Sequence, residues 1–378
     1  MSRPSEYDVV VLGGGPAGCA TAMALRRQGV ASVLVVEAGR YDAERIGEGI
    51  PPDTRVLLQR LGVWEDFLLE GHDACLGSCS SWGTDELGYN DFLFNPLGNG
   101  WHLERKRFDA FLARQSVQSG VELLTGTRFE DGEPIEDGYQ LRLTGDDGTS
   151  STVVARFVVD ATGMRSAFAR RRGARQLFLD QLICVYGFFE RDASAEFSRL
   201  TLLEAVEYGW WYAAKLPNGR VAVAVASDAE IIKHAALRSP QNWLAHLGRT
   251  NHLASRLTHC QFIPNSVLVC PSSSFVLDRP TGDRWLAVGD AASAYDPISA
   301  QGIYKSLLDG LDAADGIVNF LTADGSRLDA FQSGLFSRFD AYLQMRNYFY
   351  GLEQRWTAAP FWARRLQRTA LRESSQFV

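Results

Sequence analysis

The chain of 378 residues is poor in lysine: it has four, at positions 106, 215, 233 and 305, so arginine carries most of its positive charge. Nor is there any basic excess. The formal net charge is -7, which argues against a dedicated nucleic-acid binder. No apolar run approaches the ~20 residues needed to cross a bilayer, so no membrane contact is expected. The N-terminal "MSRPSEYDVVVLGGG" lacks a charged-then-apolar segment with a small-residue cleavage site. Six cysteines (19, 75, 79, 184, 260 and 270) are scattered along the chain, as expected for reduced thiols in a cytoplasmic protein. Cys75 and Cys79 stand four apart, but no second Cys/His pair completes a metal set, so no metal site is expected. There is no internal repeat and no low-complexity segment.

What remains is an ordinary globular composition, 46% hydrophobic and 22% charged, with a length that suggests two domains. The stretch "YDVVVLGGGPAGCATAMALRRQG" reads as a buried strand, a glycine-rich turn and a helix. "ASVLVVEAG" is a second buried strand that ends in Glu37, completing a βαβ unit. "TRVLLQRLGVWEDFLLEG" and "LERKRFDAFLARQSVQSG" are helical, and three segments between 121 and 163 form an antiparallel meander running into a buried strand. From about 176 to 280 the texture changes to strands of an antiparallel sheet. A long aromatic and arginine-rich helical tail follows from Phe331.

Gly13, Gly15 and Gly18 form G-x-G-x-x-G at the strand-to-helix turn. The first allows the tight turn, the second lets backbone approach a pyrophosphate, and the third lets helix pack on strand. Pro16 and Ala17 open the helix, whose free N–H groups and positive end suit phosphate. Glu37, with Ala38 after it, stands about 20 residues on, where a carboxylate accepts hydrogen bonds from adenosine ribose and repels a 2'-phosphate. This fingerprint serves NAD and FAD alike. Some 250 residues later comes "RWLAVGDAASAYDPISAQGIYKSLLDG", in which a buried strand stops at Gly289-Asp290 and leaves much bare backbone before a helix. A simple NAD dehydrogenase needs no such element, whereas FAD is longer. Asp290 suits a ribityl hydroxyl. The N–H groups from Ser299 through Gln301 and Gly302 to Ile303 suit flavin N1 and O2, where reduction places negative charge.

The fold expected is therefore α/β. A discontinuous Rossmann-like FAD-binding domain comprises 1–75, 100–175 and 280–320. Inserted into it is an antiparallel β-sheet substrate domain (76–99 and 176–279), and 321–378 form a C-terminal helical region.

Taken together, "LGGGPAG", "RKRFD", "DATGMRS" and "VGDAASAYDP" resemble the FAD-dependent monooxygenases of the para-hydroxybenzoate hydroxylase type and their flavin-dependent halogenase relatives, over most of the chain and in the same order. The resemblance implies that Arg105 contacts the cofactor, that Asp160 and Gly163 belong to a middle motif serving FAD, and that Pro297 lies over the flavin edge. The middle segment reads "DATG" where the family has a plain Asp-Gly. No second G-x-G-x-x-G unit is present, so reduction by NAD(P)H directly or by a separate flavin reductase both stay open. "GEGIPP" resembles the Gly-Glu-x-x-x-Pro element of the halogenases. "GWWYAAKLP" and "RNYFYGLEQRWTAAPFWARR" are similar to segments of the maturation flavoproteins of the lysine oxidase, glycine oxidase and quinohemoprotein amine dehydrogenase systems, which modify tryptophan in a partner polypeptide.

These likenesses imply an FAD monooxygenase that hydroxylates an electron-rich aromatic ring through a C4a-hydroperoxyflavin, with a partner's tryptophan as substrate. The alternatives are a hydroxylase or halogenase of a small aromatic natural product, or a reductase of the geranylgeranyl reductase type. Halogenases of this type need a lysine amine a few tens of residues after Gly-Glu-x-x-x-Pro, and this chain has no lysine between Asp53 and Gly100. The candidate catalytic positions are Glu48, Pro297 and Gly302. Strand alternation places Trp210 and Tyr212 on one face, as a substrate pocket, and Trp211 on the other. His102 reads as a structural histidine and Lys215 as a solvated strand end. The tail aromatics Tyr348, Tyr350, Trp356 and Phe361 read as core or as a partner surface.

Overall fold

The computed structural model describes residues 5–192, 197–322 and 327–373. The remaining positions, which fall within the expected segments, lie outside the described residues.

Val9 to Leu12 and Val33 to Val36 are continuous apolar runs because both faces of their sheet are covered. The strands Trp285–Ala287, Ser150–Asp160, Ser5–Leu12, Val33–Val36 and Glu122–Leu124 lie side by side in that order, all parallel. The meander strands Thr127–Ile135 and Gly138–Gly145 add to Ser150–Asp160 in antiparallel fashion. Register aligns the strand ends. Leu12 pairs with both Val36 and Asp160, and Asp160 pairs with Ala287. The turns after residues 12, 36, 160 and 288 therefore open on one edge, the carboxyl end of a parallel sheet, where ligands of such folds bind.

Helix packing draws the two distant segments together. Helix Pro16–Arg27 lies against helix Gly302–Thr322. A Cβ at Gly310 would stand 2.8 Å from the Thr21 nitrogen and 2.9 Å from the Ala17 oxygen, so only glycine permits that approach. At Gly289 (φ +59°) a Cβ would come within 2.6 Å of the Ala17 Cβ.

The second sheet runs Cys260–Phe262, Leu182–Arg191, Arg220–Asp228, Gly209–Lys215, Leu200–Val206, Gly77–Ser81 and Gly88–Asp91. It is antiparallel except where Leu200–Val206 pairs in parallel with Gly77–Ser81, two strands joined by a long excursion through the first sheet. Its two faces bury different cores. Trp211, Val185, Val223 and Val225 pack beneath Trp243 on one side. Cys184, Tyr186, Trp210 and Ala224 meet Tyr350, Phe361 and Trp362 of the C-terminal helices Arg327–Leu352 and Pro360–Glu373 on the other.

One expected helix divides. "TRVLLQRLGVWEDFLLEG" forms Thr54–Arg60 and Trp64–Leu69, separated at Gly62, whose φ of +73° no continuous right-handed helix accommodates. Among the described residues, no helix is long and apolar enough to cross a membrane.

Candidate active site

A cavity of about 960 Å³ opens along the aligned strand ends and continues against the second sheet. At one end its wall is the glycine-rich turn. Gly13 (φ +111°) lies against the backbone after Asp160: a Cβ there would stand 2.2 Å from the Ala161 oxygen. Gly18 packs on Gly13 in the same way, its Cβ position 1.9 Å from the Gly13 oxygen. Gly15 differs, because a Cβ built on it meets nothing within 4 Å. It faces the cavity at the start of helix Pro16–Arg27, which has no side-chain cap on its first N–H groups. A glycine held by packing and a glycine left bare toward open space are what an anionic ligand at a helix start requires.

Glu37 lines the same end with Ala38. Its Oε2 accepts from the Gly14 N–H at 2.7 Å and its Oε1 from the Gly39 N–H at 2.7 Å, so the carboxylate ties the first turn to the second strand. Arg45 stands 3.6 Å from Glu37 and 3.5 Å from the buried Asp109. Arg105, the first residue of helix Arg105–Gln118, reaches the cavity while its Nε and Nη2 donate to Asp109, each at 3.2 Å. Its Nη1 donates to the Ile46 carbonyl, which fixes the loop that carries Glu48.

Thr162, Gly163 and Met164 line the middle. Asp290, Pro297, Gln301, Gly302 and Ile303 line the side contributed by the distant segment. Three predicted cofactor residues do not face the space. Gly18 and Gly289 are consumed by close backbone and helix packing. Asp160 is fully buried behind the wall and accepts from Thr162 N–H and Oγ1 and from the N–H groups of Phe168 and Ala169, so it shapes the loop instead of presenting a carboxylate to the cavity.

A family model described as FAD binding domain matches residues 6–335. The chain belongs to the FAD-binding domain family. It is 27% identical to the FAD-dependent oxidoreductase LodB of Marinomonas mediterranea, over 98% of this chain and 100% of that protein. It is also 27% identical to a 1H-pyrrole-2-carbonyl-[peptidyl-carrier protein] brominase of Pseudoalteromonas luteoviolacea, over 84% of this chain and 78% of that one. Among solved structures, the myxobacterial chondrochloren halogenase CndH superposes with a TM-score of 0.88 at 22% identity, over 98% of this chain and 89% of that one, which speaks to the fold. The peptidyl tryptophan dihydroxylase QhpG superposes with a TM-score of 0.73 at 27% identity, over 96% of this chain and 79% of that one.

The cavity suits the family's cofactor. It is at the upper end of the range for ligand sites, it has bare backbone at two helix starts, and its length spans the two sequence segments that FAD would need.

Beyond this groove the cavity becomes aromatic. Trp210 and Tyr212 line it, and Trp211 points into the opposite core, where its Nε1 donates to the Tyr208 hydroxyl at 3.2 Å. Across the sheet the alternation extends to the neighbouring strand. Tyr212 pairs with Ala224 and Ala224 with Tyr186, so Tyr186 and, two residues earlier, Cys184 also line the space. Sequence reasoning missed both, although "LICVYGFFE" carries the same alternation. It also missed Asp109, which stands four residues after Arg105 in the same motif and is the acid that orients it.

Glu48 is the unusual group. It is 2% exposed, its Oε2 accepts from the Tyr212 hydroxyl at 3.3 Å, and its Oε1 has no hydrogen-bond partner among the described residues. Burial pushes its carboxyl above the ordinary glutamate range; its own backbone N–H, then Arg105, the Tyr212 hydroxyl and the Gly47 N–H pull the other way without overcoming it. A raised native pKa makes the folded state bind the proton more tightly than the unfolded state does. The stabilising contribution is therefore complete below the ordinary value of 4.5 and is lost as pH rises through the raised one. Thermal or urea unfolding from acid to neutral pH is expected to show that decline in wild type and a shallower one in Glu48→Gln.

His102 is fully buried, outside the cavity lining, with Nε2 2.9 Å from the Thr201 hydroxyl; burial lowers its pKa to about 4, so it is a neutral structural residue. Lys215 is not a free strand end: its amine pairs with Asp73 at 2.8 Å. Among the described residues no lysine lines the cavity. Lys215→Met is expected to cost about 1 kcal/mol or less in stability and to leave turnover unchanged, checked by urea melts and steady-state assay.

Proposed function

We propose that this chain is an FAD-dependent monooxygenase that inserts oxygen into an electron-rich aromatic ring held between Glu48, Trp210 and Tyr212, and that the ring is a tryptophan side chain of a partner polypeptide. The observation that carries the reading is the buried Oε1 of Glu48, without a hydrogen-bond partner among the described residues, in a chamber walled in part by Tyr186, Trp210 and Tyr212 and continuous with the cofactor groove. An indole N–H is a donor without an acceptor, and it is the group that an orphaned buried acceptor calls for. The likeness to the peptidyl tryptophan dihydroxylase QhpG, over nearly the whole of this chain, supports a polypeptide substrate.

Bound and reduced, FAD supplies the electrons that activate dioxygen. The chain's own residues do the rest. Gly15 and the first turn of helix Pro16–Arg27 would receive the pyrophosphate, Glu37 the ribose, and Asp290 the ribityl chain. The N–H groups of Gly302 and Ile303 would hold the flavin ring and Pro297 would cover its edge, which is the part these catalytic candidates would play. Glu48 orients the ring through its N–H and accepts that proton as the ring gives up electron density, a task for which a raised pKa makes it a stronger base. The aromatic walls exclude water from the oxidising group. Direct NAD(P)H reduction and a separate flavin reductase are distinguished by mixing each nicotinamide with the anaerobic holoenzyme and following flavin bleaching.

The same chamber without an amine supports oxygen transfer over halogenation. Photoreduced holoenzyme, a tryptophan-containing peptide from the candidate partner, bromide and labelled dioxygen are combined in one reaction, and the peptide is weighed by mass spectrometry. Labelled oxygen on tryptophan is expected. Bromine on the peptide, or flavin reoxidation without any change in peptide mass, would sink the proposal.

A further inference from the structure

One side chain of the C-terminal helices joins two residues of the cavity wall from behind. Tyr350, in the last turn of helix Arg327–Leu352, is 1% exposed and sits between the two halves of the site. Its hydroxyl accepts from the Trp210 indole N–H at 3.1 Å and donates to Asp296 Oδ2 at 2.8 Å. Trp210 belongs to the aromatic wall, and Asp296 immediately precedes Pro297; all three line the cavity. Asp296 is itself fully buried. Its Oδ1 accepts from the Ile298 N–H at 3.1 Å, its own N–H donates to the Tyr342 hydroxyl at 2.8 Å, and Arg346 Nε stands 3.4 Å from Oδ2. Arg346 is held in turn by Asp180 at 2.9 Å, and the guanidinium groups of Arg346 and Arg365 lie 4.9 and 5.0 Å from the Tyr350 ring centre.

We propose that Tyr350 is a positioning residue that couples the aromatic wall at Trp210 to the flavin-facing segment Asp296–Ile303, so that the wall and the electron affinity of the bound flavin change together. This rests on the proposed placement of the flavin ring against Pro297 to Ile303. A chain of hydrogen bonds polarises along its length: when Trp210 donates to the Tyr350 oxygen, the Tyr350 hydroxyl becomes a better donor to Asp296. Asp296 is a buried acid beside the segment that receives negative charge when flavin is reduced. The more completely its charge is met by donors, the less it opposes that reduction. A ring entering the chamber that displaces the Trp210 indole would weaken the chain and lower the flavin's electron affinity. The C-terminal helix thus serves as the bridge between substrate wall and cofactor, a role that neither sheet alone provides.

The test is the midpoint potential of the bound flavin in the holoenzyme, measured by dye-equilibrated reduction, which bulk stability does not govern. Tyr350→Phe removes one hydroxyl from a ring that packing already fixes, and its potential is expected to fall below wild type. Trp210→Phe removes the upstream donor and is expected to lower it by less. The double variant is expected to match Tyr350→Phe, because both changes act through one chain. Tyr348→Phe, at an exposed neighbouring position, is expected to leave it unchanged. Unchanged potentials in both single variants with flavin bound overturn the coupling, as do shifts that simply add in the double variant. If Tyr350→Phe fails to take up flavin, Trp210→Phe decides alone: a lowered potential supports the coupling and an unchanged one overturns it. A wild-type protein unable to bind FAD would instead overturn the site on which the coupling rests.

Discussion

Glu48→Gln is expected to reduce turnover by roughly 10²–10⁴ while the protein stays folded and yellow, the range that loss of a positioned proton acceptor spans. The amide has the volume of the carboxyl and keeps an oxygen for the Tyr212 hydroxyl, but it cannot take a proton. Because burial raises the Glu48 pKa, the active, ionised form is depleted at acidic pH. The wild-type rate is therefore expected to climb with pH above the ordinary glutamate range, opposite in sign to the stability trend of the same group. The Gln variant is expected to lose that limb of the profile. A variant that retains the limb would assign the proton to another residue, and one that retains turnover would remove Glu48 from the chemistry.

The second large effect separates packing from ligand contact within a single turn. Gly13→Ala puts a side chain where φ is +111° and where its Cβ would lie 2.2 Å from the Ala161 backbone oxygen. Neither strain nor clash can be relieved without moving a central strand, so a loss of at least about 3 kcal/mol is expected, with no soluble holoprotein. Gly15→Ala meets no protein atom within 4 Å. Its apoprotein is expected to melt within about 1 kcal/mol of wild type, but its FAD dissociation constant is expected to rise tenfold or more, about 1.4 kcal/mol, because the new methyl occupies space meant for the pyrophosphate. The two are compared by calorimetry of apoprotein and by flavin titration. A Gly15→Ala protein that binds FAD normally would mean that the open space beside that turn is not the phosphate site.

Much of this architecture was legible beforehand because its signals are local. Tight turns, bare backbone and two-sided burial select residue types within a few positions, so the fingerprint, the strand into Glu37 and the Gly-Asp turn could be read directly. Alternation along Gly209–Lys215 likewise placed Trp210 and Tyr212 against Trp211. Long-range partnerships were less accessible. Asp160 looks like a ligand in its motif, yet four nearby donors claim it, and only the folded loop brings Phe168 and Ala169 around to it. Lys215 looks like a solvated strand end until Asp73, from a separate segment, meets it. The tail aromatics, open between core and surface, divide: Tyr350 and Phe361 are buried against the second sheet, whereas Tyr348 is exposed.

By itself, the sequence determined the class of ligand and most of the residues found to line the cavity, because a dinucleotide imposes glycine, helix-start and carboxylate requirements at short, recognisable spacings. Tertiary structure alone decided that Glu48 is buried with one oxygen unclaimed, and that Tyr350 stands between Trp210 and Asp296. Burial and hydrogen-bond saturation depend on what other segments deliver to the same volume. Those contributions come from residues 54 to 164 positions apart, where no local pattern in the chain records them.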